Sequence, residues 1–422
     1  MSRPLADSLG HSAAPSANLK RLIDRVWGVE DQSVTVSMGP APSGHRVVEQ
    51  YAVVPGLSSA RWLLPVGAHA ATVSSLWRYV AMKRLPLQML RAGLTGAFAT
   101  GLGYRLFADR LTISLDPGAG PDADSEKLLL SHLADILQRR PLFAAVEVRR
   151  ANANSKPTLQ LFDSAGSAVG YARVGWSPGT RQLVQAESAA LEAVHSPDAK
   201  LVTPRLLAAG QWRDREFSVA SPLPEPMRRW AGAPQDSVEV LEEIYSSSPV
   251  VEGTLAGSAY ERGLRAQLLT SSAAEPEAAS VLIDWLDALA KNEAALRFGR
   301  WHGDWVPWNH GRHRGRVVAW DWEHSAPQVP VGFDLLHWYF QPAMPEGGLD
   351  AAVAAVERAT PQLGVLGVPP RSRPLVASLY LLEMFARVTR MAVGGGGWNP
   401  RFHPQMLQVA HEWATCRRDL AT

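Results

Sequence analysis

Two periods alternate along the chain. Leu19, Leu22, Ile23 and Val26 fall three or four apart and predict a short amphipathic helix. Residues before it are rich in Ser, Ala, Pro and Gly, and residues 1 to about 16 are expected to be disordered. Strand-like runs follow at Val34–Val36, Gln50–Val54 and Arg61–Pro65, the last closed by its proline. Thr72 to Arg84 reads as helix, and Pro86 opens or kinks the next segment. Ala92 to Gly103 is glycine-rich without a G-x-G-x-x-G, which predicts close packing or turns rather than a phosphate loop. Leu111–Leu115 is a strand, and a helix carrying Leu129, Leu133, Ile136 and Leu137 follows an N-cap at Asp124 or Ser125.

From Leu142 the pattern turns to hairpins. Strands are expected at Ala144–Val148, Pro157–Phe162 and Val169–Val174, then a helix over Arg181–His195, then strands at Arg205–Gly210 and Glu216–Ser221. The proline-rich Pro222–Pro226 ends this block. Beyond it helices dominate: Ser237–Tyr245, Tyr260–Leu269, Pro276–Leu296, one through Leu335, Trp338 and Phe340, then Ala351–Thr360, Leu375–Val393 and His403–Leu420. The prediction is an α+β chain in three parts. An α/β N-terminal extension over residues 1–141 precedes a small antiparallel-sheet lobe over 142–224, and a mostly helical lobe over 225–422 completes it.

Composition narrows the class. With 422 residues, 46% of them hydrophobic and 19% charged, the chain can build more than one packed unit. The formal net charge is only +2, so no global field pulls in nucleic acid or acidic lipid. Arg78, Lys83, Arg84 and Arg91 read first as a solvated helix face, with contact to a membrane surface or an anionic substrate as the lesser alternative. No window reaches the roughly 18 apolar residues of a membrane helix, and no signal-peptide core is present; a cytoplasmic protein without an integral membrane segment is expected. The sole cysteine, Cys416, excludes an intrachain disulfide and reads as a packing residue of the last helix.

The chemistry concentrates between Arg297 and Gln341. There, H-G-D-W-V-P-W-N runs from His302 to Asn309, a polar hairpin follows, and Val317–Trp320 leads into Asp321. Phosphoryl transfer needs such a trio: one carboxylate to orient or deprotonate the attacking hydroxyl, and an amide oxygen with a second carboxylate to hold magnesium against the phosphates. In that pattern the first Asp and the Asn share a loop with four residues between them, and the second Asp ends a following strand. Asp304, Asn309 and Asp321 fit it.

This stretch resembles the aminoglycoside phosphotransferase and choline kinase superfamily, small-molecule relatives of protein kinases; Gly303 and the phrases Trp320–Glu323 and Gly332–Leu335 carry the likeness. The resemblance implies a bilobal protein-kinase-like fold and transfer of the ATP γ-phosphate to a hydroxyl of a small polar molecule, with Mg²⁺. It assigns Asp304 as catalytic, with His302 as a shaper of the loop or a proton carrier, and Asn309 and Asp321 as metal ligands. Asp334 would brace the loop. Asn154 and Ser155 would cover the phosphates, in a loop that lacks the usual glycines. Arg173 stands where a lysine is expected to reach the phosphates, with Glu187 as its helix partner and Glu192 second; Pro222–Pro226 would be the hinge under the adenine.

Arginine is bulkier and differently shaped than lysine. A weak or inactive kinase fold that binds nucleotide or a partner is therefore a second reading. A third takes His302, Asp304, His310, His313, Asp321 and His324 as a metal-dependent hydrolase site, without any H-E-x-x-H spacing in its favour. Aminoglycosides, sugars and amino alcohols all remain open as acceptors. Trp305 and Trp308, if exposed, would contact the acceptor, whereas Trp320 and Trp338 read as core. Glu323, Glu346 and Glu383 are candidates for an acidic pocket, and Gly394–Trp398 for its rim or a linker.

Overall fold

A computed structural model describes residues 14–28, 33–118, 124–149, 155–196, 199–230, 232–233, 237–396 and 403–416. The chain forms two compact units: residues 1–184 with 206–222, and residues 185–205 with 223–422. The chain crosses between them after Val184, after Arg205 and again after Pro222.

The first unit is organised by one antiparallel sheet of nine strands. In chain order they are β1 (Val34–Met38), β2 (Arg46–Val54), β3 (Trp62–Pro65), β4 (Arg110–Leu115), β5 (Phe143–Glu147), β6 (Thr158–Phe162) and β7 (Ala168–Gly175); β8 (Leu201–Val202) belongs to the second unit, and β9 (Leu206–Trp212) and β10 (Arg215–Ala220) complete the sheet. Its spatial order is β1-β4-β2-β3-β5-β6-β7-β10-β9. Leu63 pairs with Val146 and Trp62 with Glu147, so the expected boundary at 141/142 falls between two strands of a single sheet. Period-two alternation sends Tyr51, Val53, Leu63, Leu111, Ile113, Ala144, Val146, Leu159, Ala172 and Val174 to one face, where α1 (Ala17–Val26) packs with Leu19, Leu22, Ile23 and Val26. Ser16 caps α1 through its hydroxyl, which accepts the Leu19 N–H at 3.2 Å. The opposite face carries Ala52, Val54, Leu64 and Ala145 against α2 (His69–Trp77) and α3 (Leu85–Ala99). The short α4 (Leu102–Leu106), α5 (Asp124–Lys127) and α6 (Leu129–Ile136) complete the unit, together with the first turns of α7 (Pro178–Val194).

The second unit is mostly helical. It holds α8 (Val238–Ser246), α9 (Ala259–Ser271), α10 (Pro276–Leu289), α11 (Phe333–Ala359), α12 (Arg373–Met391) and α13 (His403–Cys416). Two small sheets are set among them. One is β11 (Arg228–Arg229), β14 (His310–His313), β15 (Arg316–Ala319) and β8; the other is β12 (Val251–Gly253), β13 (Leu296–Trp301) and β16 (Ala326–Pro330). The α+β class expected from the sequence is met, and among the described residues no helix is long and apolar enough to cross a membrane.

Three elements differ from expectation. The helix expected to run to Leu296 stops at Leu289, because the Asn292 side chain accepts the Ala294 N–H at 2.8 Å and turns the chain into β13. The helix expected over Thr72–Arg84 ends at Trp77, and Tyr79 turns left-handed with its ring 6.3 Å from Tyr171. A tertiary contact outweighs helical periodicity there. Conversely, α3 runs through Gly93 and Gly96, where close packing or turns were expected; neither glycine has a neighbour within 4 Å of a Cβ, the Leu, Met and Ala around them carry the helix, and the chain turns at Gly101, φ 75°.

Candidate active site

The site is built on a hairpin. β14 and β15 pair His310 with Ala319 and His313 with Arg316, joined through Arg314 and Gly315, both at positive φ. That is the geometry of a two-residue turn matched to strand twist. One step beyond the ladder the Trp320 N–H donates to the Asn309 carbonyl at 3.2 Å. Asp321 is thus the residue that follows Asn309's backbone partner, and the hairpin returns it to the loop carrying Asp304. Asp321 itself is left-handed, φ 75°, a conformation costing roughly 1–2 kcal/mol outside glycine. Such strain concentrates where a side chain must be aimed.

The loop after β13 is held from α11 and α12. The Asp334 carboxylate, in the first turn of α11, accepts the His302 N–H at 2.7 Å and the Gly303 N–H at 3.0 Å. Burial pushes this carboxyl up to about 7, against those two bonds. From α12, the Arg387 guanidinium donates to the Gly303 carbonyl at 2.7 Å and lies over Trp301. Gly303 has φ 83°, and a Cβ there would run into the His324 carbonyl. Only glycine fits at that point of the H-G-D motif.

Asp304 is the centre of the arrangement. One carboxylate oxygen accepts from the Asn309 amide nitrogen at 2.7 Å, and the other lies 3.0 Å from His337 Nε2. His337 Nδ1 lies 2.9 Å from the Tyr380 hydroxyl. Burial pushes the Asp304 carboxyl up, but the His337 hydrogen bond, with His337, His324 and His302 nearby, holds it below the usual carboxylate range. Burial pushes the His337 imidazole down and the Tyr380 phenol well up. The protons are therefore assigned: Tyr380 O–H donates to Nδ1, and Nε2–H donates to an ionised Asp304.

His302 is fully buried. Its Nδ1 accepts the Asp304 N–H at 3.2 Å, and its Nε2 faces the Trp320 carbonyl at 3.2 Å. Burial pushes it down to about 4, against Asp304 and Asp321. The imidazole is neutral near neutral pH, with Nε2–H directed at the Trp320 carbonyl and Nδ1 accepting from the Asp304 backbone, so both nitrogens are engaged in the loop. Both Asn309 and Asp321 offer hard oxygen donors. The Asn309 nitrogen is spent on the Asp304 side chain and, at 3.1 Å, its carbonyl, which leaves the amide oxygen to face a cation. Magnesium takes one or two such protein oxygens and completes its shell from phosphates and water, so this donor set suits it.

The rival metal reading finds no support in the geometry. His310 is fully buried, its ring 3.6 Å from Trp305 and stacked on Trp338, and His313 faces the Pro226 carbonyl at 2.9 Å. Among the described residues no group of three or more His, Cys, Asp or Glu stands where it could hold a metal. Trp305, expected as an acceptor contact if exposed, is 1% exposed, whereas Trp308 is 51% exposed. Glu383 is buried and spoken for, accepting from Tyr260 at 3.1 Å and Arg390 at 3.2 Å, which removes it from an acidic pocket. Trp398 lies outside the described residues.

The nucleotide candidates are distributed. Asn154 lies outside the described residues. Ser155, in the first unit, has its carbonyl fixed by Arg25 Nη1 at 3.1 Å and Trp176 Nε1 at 3.0 Å, with Arg25 4.0 Å over the Trp176 ring. Arg173 lies on β7 opposite Thr158 and Ser218, on the face away from the buried Ala172 and Val174. Glu187 is buried in the second unit. His337, Tyr380 and Arg387 were not anticipated from the sequence. The available signal was spacing: Asp334 and His337 are three apart on one helix and so share a face.

No family model matches the chain, and no curated protein does. Among solved structures it is similar to a choline kinase from Streptococcus pneumoniae, at 14% identity over 69% of this chain and 99% of that one, TM-score 0.44. It is also similar to an aminoglycoside phosphotransferase in complex with gentamicin, at 8% identity over 69% and 97%, TM-score 0.43. A glucosamine kinase in complex with glucosamine, ADP and phosphate matches at 16% identity over 74% and 90%, TM-score 0.34. Likeness this distant transfers no role to any residue.

Proposed function

We propose that the chain is an ATP- and Mg²⁺-dependent phosphotransferase acting on a hydroxyl of a small polar acceptor. The observation that supports it best is the setting of Asp304: an ionised, half-buried carboxylate fixed by His337 and Asn309 on a loop braced by Asp334 and Arg387. Each of its oxygens keeps a lone pair for an incoming hydroxyl. A carboxylate held below the ordinary range is a weak base, so Asp304 acts first as an orienter. It accepts the hydroxyl's hydrogen bond and takes the proton late, as the new P–O bond forms and the bond to the leaving phosphate breaks. A loose phosphoryl-transfer transition state needs no more than that.

Asn309 and Asp321 would hold Mg²⁺ through oxygen, and the ion would neutralise charge on the phosphates when bound. Arg173, Glu187, Asn154 and Ser155 are the proposed nucleotide residues. Localisation in the cytoplasm and a free small-molecule acceptor belong to the same proposal. Arg173 in place of lysine favours a second reading, a chain that binds nucleotide and transfers slowly.

The test is turnover of ATP with Mg²⁺ over a panel of aminoglycosides, sugars and amino alcohols, comparing the native chain with Asp304→Asn. Loss of about 10²–10⁴-fold in transfer with nucleotide binding intact supports the assignment. Near-native turnover in Asp304→Asn ends it.

A further inference from the structure

The outer side of α3 is unlike an ordinary solvent-facing helix. Of its fifteen residues only Arg91 is charged, and Arg91 is turned inward and buried with Leu94 and Phe98. Leu85, Met89 and Leu90 face out instead, followed by Ala92, Gly93 and Gly96, with nothing within 4 Å of a Cβ at either glycine. The neighbouring elements continue the pattern. Trp77 at the end of α2 and Leu102 and Leu106 on α4 are also exposed, and the six large side chains range from 46% to 69% exposed.

These elements form one rigid block. His69 of α2 bonds the Ala99 carbonyl at 3.0 Å, and the Tyr104 hydroxyl of α4 reaches the Pro65 carbonyl and Thr72 Oγ1, each at 3.0 Å. Their inner sides already fill a core of Ala71, Leu76, Leu94 and Phe98. The exposed apolar residues are therefore a second face, not a displaced first one. Soluble monomers rarely gather so many large apolar side chains on adjoining elements without a partner.

Charge says which partner. From Gln50 to Ala108 the sequence contains no Asp or Glu, against Arg61, Arg78, Lys83, Arg84, Arg91 and Arg105. Arg84 and Arg105 are exposed, each directly beside the apolar positions Leu85 and Leu106. A second copy of the chain, packed about a two-fold axis, would set these cations against themselves with no carboxylate from α2, α3 or α4 to answer them. Leu, Met and Trp among small residues, edged by Arg and Lys and free of acid, is the composition of a surface that lies in a lipid headgroup layer.

We propose that the α2–α3–α4 face is a peripheral docking surface for anionic membranes, with Leu85, Met89 and Leu106 entering the headgroup boundary and Arg84 and Arg105 meeting lipid phosphates. This inference is independent of the chemistry at Asp304.

The test is flotation of the full chain with vesicles of phosphatidylcholine mixed with phosphatidylglycerol, against phosphatidylcholine alone. Binding is expected to the mixed vesicles only and to weaken as salt is raised. Leu85→Ser with Met89→Ser, and separately Arg84→Glu with Arg105→Glu, should each lower the bound fraction about tenfold or more with unchanged thermal melting. Equal binding to both vesicle types, or to neither, overturns the proposal. So does a concentration-dependent dimer on gel filtration that Leu85→Ser with Met89→Ser dissolves, since the face would then belong to a second copy. Capture of a defined protein partner at this face without lipid binding overturns it as well.

Discussion

His337 donates to Asp304 across thirty-three residues of sequence, Nε2 to Oδ1 at 3.0 Å, and the two side chains set each other's protonation. Replacing His337 with Phe keeps the ring volume but removes the donor that holds Asp304 low and leaves burial, which raises it. The acid limb of the transfer rate should then move to higher pH, toward and above an ordinary carboxylate. A loss in kcat of about tenfold to a hundredfold should accompany it, as a small misplacement produces, with little change in KM for ATP. An acid limb at its native pH in His337→Phe would show that the contact is idle.

Tyr380→Phe leaves His337 Nδ1 buried without its donor. An orphaned polar group costs about 1–3 kcal/mol, so urea unfolding of the second unit should shift to lower midpoint by that amount. Turnover should fall less than for His337→Phe, because the contact to Asp304 itself survives.

Gly303→Ala meets two obstacles at once, the φ of 83° and the His324 carbonyl. A loss of about 2–4 kcal/mol or a displaced catalytic loop is expected. Thermal melting paired with turnover distinguishes them. A variant that melts and works like the native chain would contradict the close approach described here.

Acid should weaken the fold through His302. The unfolded imidazole binds its proton near 6.5 and the folded one only near about 4, so between these values the unfolded state holds more protons. Stability contributed by the neutral ring is intact above 6.5 and falls as pH drops through that window, by on the order of 3 kcal/mol at most. Asp334 acts oppositely: its folded carboxyl protonates near about 7, before the unfolded one near 3.8, which favours the fold as pH falls. Comparing native with His302→Gln at pH 7.5 and pH 5 cancels the Asp334 contribution. The variant should lose less stability between the two; equal losses would rule out His302 as the source.

Much of this was legible in the sequence where residue type and spacing are both restrictive. Asp304, Asn309 and Asp321 could be read because a hairpin of fixed length must return the last to the first two. Most strands of the large sheet and the longer helices followed from their periods, apart from the shifts at Thr72–Arg84, Ala92–Gly103 and Pro276–Leu296, whereas the short strands β8, β11, β12, β13 and β16 were not expected. His337 and Tyr380 could not be read in the same way. Each sits inside an apolar run, Phe333–Phe340 and Leu375–Phe385, where a histidine or tyrosine looks like core. Their meaning comes from the meeting of α11 and α12, which no local pattern records. Arg387, seven residues after Tyr380 and so on the same face of α12, belongs to that meeting too.

The pairing of β3 with β5 bears on how this protein can be handled. A fragment beginning at residue 142 would keep Asp304 and everything around it, yet it would strip β5 of its β3 neighbour and lay bare the edge at Val146 and Glu147. Such an edge recruits strands from other molecules. The shortest version of the chain that behaves well in solution is therefore set by a seam in a sheet, far from any reacting atom.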